Sequence, residues 1–361
     1  MKDMLISIWI MGNCMINNDF YKRLKYFSNS IQYSGASLKR FARVDDNTPE
    51  FQKQIKKNKN FWSEKQIKDS YFFAELFNQL KSGKSSYKTY FNELIDPQYT
   101  DTAYYPRSVN CLIKYTEPIF AYSEIVGSRL ANELGIDTVY NEEVVGSFDS
   151  QKAIMSVDFV PKDMNIDSLI MLGIDFSEDD DLERCLDLLD KHLPLILIDE
   201  CISVPDQSQA IAKFKEDFVR QYLFRNLFCD DMDFDSKNIG MMYNKDSFCV
   251  APSFDMEMMF EGKLGGFYID FVLRNVSFVR RAYPQIWNEF ISRLEKTLNS
   301  GRIEEIMYNS VSFMPKRYCD KYHKIIKNNA KFLLTLSKWN NNENGLVPPI
   351  DSDFDFEFFN N

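Results

Sequence analysis

Asp230-Asp231-Met232-Asp233-Phe234-Asp235-Ser236-Lys237-Asn238-Ile239-Gly240 is the stretch on which the reading of this chain turns. Ahead of it, Ile211, Phe214, Phe218, Tyr222 and Leu223 recur at helical spacing, which predicts a helix running to about Phe228. Behind it, Met241 to Val250 reads as a β-hairpin turning at Asn244-Lys245-Asp246, and Ala251-Pro252-Ser253-Phe254-Asp255 follows. An Asp, an Asn five positions later and a second Asp after a short hairpin are the parts that a phosphoryl-transfer site needs. Asp233 would orient and deprotonate an accepting hydroxyl. The Asn238 amide and the Asp255 carboxylate are hard oxygen ligands suited to Mg2+. Asp-x-x-x-x-Asn alone also describes a solvated acidic loop. Its place between a helix and a hairpin ending in Phe-Asp favours the site.

Such chemistry also needs a cation on the phosphates, held by an acid. Lys114 lies in the predicted strand Val109-Asn-Cys-Leu-Ile-Lys-Tyr115, flanked by apolar residues. Glu124 stands ten residues on, in a helix expected from Pro118 to Leu134 and stopped by Gly135. A strand Lys and a helix Glu, in that order, are the expected ion pair. Each is more often surface charge when taken singly. A Gly-centred turn at Ser34-Gly35-Ala36-Ser37, leading to Lys39, could cradle phosphates on its backbone N–H groups. Lys237 joins Asp233 and Lys114 as a catalytic candidate. A second Gly-Lys pair, Lys81-Ser-Gly-Lys-Ser85, is set aside as a P-loop because Asn78 stands where that motif needs Gly.

Composition narrows the alternatives. The 361 residues carry 43 Lys and Arg against 53 Asp and Glu, a net charge of −10, which argues against a protein built to coat nucleic acid. Hydrophobic residues at 45% supply a sizeable core and exclude global disorder. His192 and His323 are the two histidines, too few for a His-rich metal site and poor material for a Ser/His/Asp triad. The seven cysteines form no C-x-x-C and mostly adjoin apolar residues, so buried reduced thiols in a cytoplasmic protein are expected. Met4 to Met11 is a short apolar run without a small-residue cleavage site, and is read as a first strand. No stretch approaches the ~18 apolar residues of a membrane span.

Strand patterns come first and helical patterns second. That order predicts an α+β fold with a small β-rich lobe over 1–160 joined to a larger helical lobe over 161–340. Val139 to Val145 and Lys152 to Phe159 read as strands separated by a Gly146-Ser147 turn. Leu182, Cys185, Leu186, Leu188 and Leu189 share one helical face. Later helices are expected at about Phe267 to Asn299, broken near Pro284, and Asp320 to Trp339. Residues 50–95 form a Lys-rich, Arg-free insertion in which Trp62, Ile67, Phe72, Leu76 and Leu80 keep helical spacing. The 341–361 tail alternates acid with Phe.

Taken together, Ser34-Gly-Ala-Ser-Leu-Lys39, Leu112-Ile-Lys114, Glu124 to Glu-Leu-Gly135, Asp233 to Gly240 and Ala251 to Asp255 resemble the HipA-like serine/threonine kinases. These are the toxin kinases of bacterial toxin–antitoxin modules, with relatives among secreted effectors. The eleven-residue step from Glu124 to Gly135 is the family's own. The resemblance covers residues 30 to 270. It implies a bilobal, protein-kinase-like fold, ATP and Mg2+ as cofactors, Asp233 as the catalytic aspartate, Asn238 and Asp255 on Mg2+, and Lys114 on the phosphates. Glu124 would be the helix acid, and Met155, Val157 and Phe159 would line the hinge that reads adenine. Ser28, Ser30, Ser34 and Ser37 are available for regulatory phosphorylation. Asp235 departs from the pattern, which has His there; Ser37 stands in place of Gln, and the insertion is longer than the family norm. Gly35 stands close to the start, as in the compact members.

The resemblance further implies a protein substrate, with translation components as the analogy, and an antitoxin on a separate chain. Membrane contact is not expected, and nucleic acid only through the basic insertion. A lipid or small-molecule phosphotransferase, and a nucleotide-binding protein without turnover, are the alternatives on the same fold.

Overall fold

The computed structural model describes residues 24–27, 38–45, 108–148, 151–157, 159–160, 164–260 and 266–338. The Gly turn at 34–37, the Met4 to Met11 run, the 50–95 insertion and the Phe-rich tail lie outside the described residues.

The architecture is mixed α+β, with strands early and helices late, and falls into two compact units. The first takes the described parts of Met1–Ala121 and Val139–Asn165, the second those of Tyr122–Thr138 and Ile166–Asn361.

The first unit is an antiparallel sheet. It contains β1 (Leu24–Phe27), β2 (Leu38–Asp45), β3 (Ser108–Thr116), β4 (Asn141–Phe148) and β5 (Gln151–Val157), in the order β1-β2-β3-β5-β4. β3 is central, as its apolar Cys-Leu-Ile run suggests. Gly146-Ser147 does not form the expected turn. β4 continues to Phe148, and its register against β5 slips between Val144 and Ser147. The glycine sits in a bulge, where a residue without a side chain leaves no unpaired group to pack. Ser147 then pairs with Lys152 and Phe148 with Gln151, so the reversal falls after Phe148.

α1 (Pro118–Glu133) follows β3. Its first-turn proline presets the helical φ and forfeits an N–H that would have had no partner. Gly135 ends it at φ +76°, with Ile136 N–H on the Ala131 carbonyl (2.8 Å) and Gly135 N–H on that of Asn132 (3.2 Å). That is a Schellman close, which a side chain at Gly135 would strain. From Tyr122 on, α1 belongs to the second unit. The Tyr122 hydroxyl donates to the Met307 carbonyl (2.8 Å) and the Ser123 hydroxyl to that of Met259 (3.2 Å).

The second unit holds a small sheet of β6 (Asn165–Ser168), β7 (Gly240–Asn244) and β8 (Ser247–Val250). It also holds α2 (Leu182–Asp199), α3 (Gln207–Tyr222), α4 (Gly266–Ala282), α5 (Pro284–Asn299), α6 (Arg302–Asn309) and α7 (Lys316–Lys338), of which α3 packs on β8 and α5, α6 and α7 pack on one another. Asp206 caps α3 through the N–H of Gln209 (2.9 Å), and α3 widens into a π-helical turn over Leu223–Phe228. α6 was not expected, and α7 begins earlier than the Asp320 read from the sequence. Phe176, Phe218, Tyr222 and Phe234 form an aromatic cluster with centroids 5.5–6.4 Å apart. Such pairs add about 0.5–1.5 kcal/mol each beyond their burial. Phe234 therefore anchors the Asp230 to Gly240 segment from within. Among the described residues, no helix is long and apolar enough to cross a membrane. Cys185, Cys201, Cys229, Cys249 and Cys319 are free thiols.

Candidate active site

The Asp230 to Gly240 segment leaves the π-helical turn, loops, and enters β7. β7 and β8 pair Met241 with Val250 and Asn244 with Ser247, so the hairpin reverses at Lys245-Asp246. The Asn244 carboxamide accepts from Asp246 N–H (2.9 Å) and the Ser247 hydroxyl (3.0 Å), which fixes the turn. Asn238 thus stands just before the hairpin and Asp255 just after it. At Gly240 a Cβ would lie 2.9 Å from the Ala251 Cβ and 3.2 Å from both Ile166 and Phe254, so glycine alone lets the chains approach this closely.

Within the loop the expected residues are tied together. The Asn238 Nδ2 donates to the Asp233 carbonyl at 3.0 Å, which leaves Oδ1 as the amide's ligand atom. The Asp235 carboxylate accepts from the backbone N–H of Lys237 (2.7 Å) and Asn238 (3.2 Å), an Asx turn that shapes the approach to Asn238. Lys237 itself is exposed and reaches Asp235 at 3.5 Å. Asp255 adopts a left-handed backbone at φ +54°, a conformation Asp tolerates better than most residues and one that gathers at functional sites.

Asp233 is half-buried, and its carboxyl is held above the ordinary aspartate value. Burial is the main cause, then the charges of Asp235, Asp231 and Asp255, with Arg225 opposing. Asp233 therefore shares its electrostatic field with Asp255, twenty-two residues away in sequence. A carboxylate whose proton affinity is raised in this way suits general-base work near neutral pH.

Carboxylate oxygens of Glu124, Asp255 and Glu257 all lie within 4.8 Å of one another, Glu124 being buried. Glu124 reaches this cluster from α1, and all three residues belong to the second unit. The donor set is all oxygen. It suits a hard cation such as Mg2+ rather than zinc or copper.

The other expected residues belong to the first unit. Lys114 is buried in β3, and the register places Lys39 directly opposite it on β2, with Ile154 opposite on β5. Met155 and Val157 are buried on β5, and Phe159 lies just past its end.

No family model matches the chain, and no curated protein matches it. Among solved structures the chain is similar to the Helicobacter pylori proinflammatory kinase CtkA, at 15% identity and a TM-score of 0.43, over 63% of this chain and 90% of that one. It is also similar to a chain of the Shewanella oneidensis MR-1 toxin–antitoxin complex of HipA, HipB and operator DNA. There the identity is 15% and the TM-score 0.41, over 62% of this chain and 58% of that one. No chemistry is carried over from either.

Three residues at the site escaped the sequence reading: Arg225, Asp231 and Glu257. Arg225 is fully buried, and its Nε meets the equally buried Asp231 carboxylate at 2.6 Å. Its Nη1 donates to the carbonyls of Asn238 (3.1 Å) and Phe254 (3.2 Å), and its Nη2 to that of Asp255 (3.3 Å). The available signal was a lone charge in the apolar run Leu223-Phe-Arg-Asn-Leu-Phe228. A charge placed there must be buried and must find partners.

Proposed function

We propose that this chain is an ATP- and Mg2+-dependent phosphotransferase, a serine/threonine protein kinase of the HipA-like kind. The observation that supports the reading is a loop in which the Asn238 amide is pinned to the Asp233 carbonyl, with the half-buried Asp233 carboxyl held above the ordinary aspartate value by burial first and then by the charges of Asp235, Asp231 and Asp255. A base, an amide and a second carboxylate in this chain order are the parts that phosphoryl transfer uses, which supports the reading.

When bound, Mg2+–ATP supplies the phosphoryl group. Asn238 and Asp255 would hold the cation, with Glu124 and Glu257 beside Asp255. Lys114, and with it Lys39, its register partner on β2, would neutralise phosphate charge. By the sequence resemblance, Met155, Val157 and Phe159 would read the adenine, and the Ser34 to Ser37 turn would meet the phosphates. Asp233 would take the proton from an acceptor hydroxyl, and the hydroxyl's oxygen would bond to the γ-phosphorus as the bond to the ADP leaving group breaks. General-base assistance of this kind contributes about 10²–10⁴-fold.

The test is transfer of labelled γ-phosphate from ATP to the protein itself and to protein acceptors, wild type against Asp233→Ala. Loss of transfer in the variant is expected; unchanged transfer overturns the assignment. The finer reading rests on the sequence resemblance: a growth-inhibiting kinase in the cytoplasm, neutralised by an antitoxin on a separate chain. Growth arrest on induction of the wild type, absent with Asp233→Ala, tests it.

A further inference from the structure

We propose that Arg225 is the positioning residue of this site, a fully buried cation that sets both expected metal ligands and the base in register; the inference rests on the phosphotransferase reading. A guanidinium has five N–H donors in a rigid plane, and four are used here. One takes the Asp231 carboxylate, and the other three take the main-chain carbonyls of Asn238, Phe254 and Asp255. The second oxygen of Asp231 accepts the backbone N–H of Asp233 at 3.1 Å, and the Asp231 N–H returns to the Arg225 carbonyl at 2.9 Å. Asn238 closes the circuit through its amide on the Asp233 carbonyl. The guanidinium also faces the Phe234 ring, 5.4 Å from its centroid.

The stretches carrying Asn238 and Asp255 are joined in sequence by the β7–β8 hairpin. Arg225 joins them a second time, across the open end of that hairpin. Arg225 stands on the π-helical turn, where the wider winding interrupts the regular ladder. Lysine cannot replace this function: one ammonium can satisfy Asp231 but cannot fan out to three carbonyls.

Partners that orient a metal's ligands typically govern about 10–100-fold in metal affinity or activity. The experiment compares wild type, Arg225→Lys, Asp231→Asn and Asp255→Ala in Mn2+ binding, followed by electron paramagnetic resonance, in Mg2+ half-saturation of phosphate transfer, and in folding by circular dichroism. Arg225→Lys is expected to fold and to weaken Mn2+ binding and Mg2+ half-saturation by roughly tenfold or more. Asp231→Asn, which leaves the arginine in place with its three carbonyls, is expected to give a smaller effect of the same sign. Should Arg225→Lys unfold, Asp231→Asn decides alone. A structural role would lower the active fraction and leave the half-saturation untouched; that result overturns the proposal. Wild-type Mn2+ binding lost with Asp255→Ala, but without phosphate transfer, would sink the phosphotransferase reading and still test Arg225 through its Mn2+ affinity. Absence of both overturns both.

Discussion

The carboxamide of Asn238 donates to the carbonyl of Asp233 at 3.0 Å, so the two ends of the Asp-x-x-x-x-Asn segment are locked face to face. The bond uses the nitrogen and orients the oxygen. Asn238→Ala removes both. Transfer should fall by about 10²-fold or more, and the Mg2+ half-saturation should rise. Asn238→Asp retains a ligand oxygen but loses the donor, and would place a carboxylate against a carbonyl. It should recover metal binding ahead of rate. Steady-state kinetics across a Mg2+ titration checks both variants.

Asp233 links pH to both activity and stability. Its folded pKa lies above the unfolded value, so between the two the folded state binds more protons. Stability from this group therefore falls as pH rises through that window, and the ionised carboxylate costs stability at neutral pH. Asp233→Asn should raise the thermal midpoint at about pH 7.5, and the gain should shrink as the pH drops towards the ordinary aspartate range. The same variant should lose transfer. In the wild type, the acid limb of the rate profile should lie above that range. Thermal melts and kcat/KM over one pH series measure all three effects.

Lys39 and Lys114 are direct cross-strand partners, and like charges so placed oppose pairing. Lys39→Thr should therefore raise the melting temperature of the nucleotide-free protein slightly. It should also reduce the further rise produced by Mg2+–ATP, because a ligand stabilises in proportion to its affinity. Thermal shift with and without nucleotide reads the two opposite signs.

The legible parts of this fold were those fixed by local chemistry. Asn244-Lys245-Asp246 marks its own turn, and Gly135 at φ +76° closes the helix that its position suggested. The spacing of Asp233, Asn238 and Asp255 around a hairpin is likewise local. What stayed hidden depends on distant partners. Gly146-Ser147 looks like a turn until the register against β5 makes it a bulge. Arg225 looks like a misplaced surface charge until Asp231 and three carbonyls surround it. Glu257 gains meaning only beside Glu124, more than a hundred residues earlier. α6, eight residues long, is too short for a periodic pattern to stand out.

The free cysteines differ in exposure. Burial pushes the Cys185 and Cys249 thiols up to about 12, and that of Cys229 upward as well, while Cys201 is exposed. Thiolate is the reactive form. At about pH 8 an alkylating reagent should modify Cys201 well before these three in the native protein, and all four at similar rates once it is unfolded. Peptide mass spectrometry gives the order.

Gly240, in the chain leaving Asn238, packs closely against Ala251 on the segment leading to Asp255. Its N–H and carbonyl sit at the start of β7, where the Gly240 carbonyl accepts the Ala251 N–H at 2.7 Å. A methyl group here would meet the Ala251 Cβ at 2.9 Å, and Ala251 is itself buried in the backbone crossing, so no flexible side chain can yield. Gly240→Ala must push the two strands apart. Overpacking of this kind costs about 1–3 kcal/mol. The displacement falls on the hairpin that spaces the two expected metal ligands, so transfer should drop by more than the lost folded fraction explains. Urea denaturation supplies the stability change, and Mg2+ half-saturation of the folded variant supplies the rest. A variant that loses stability but keeps wild-type half-saturation would show that hairpin spacing does not tune the site.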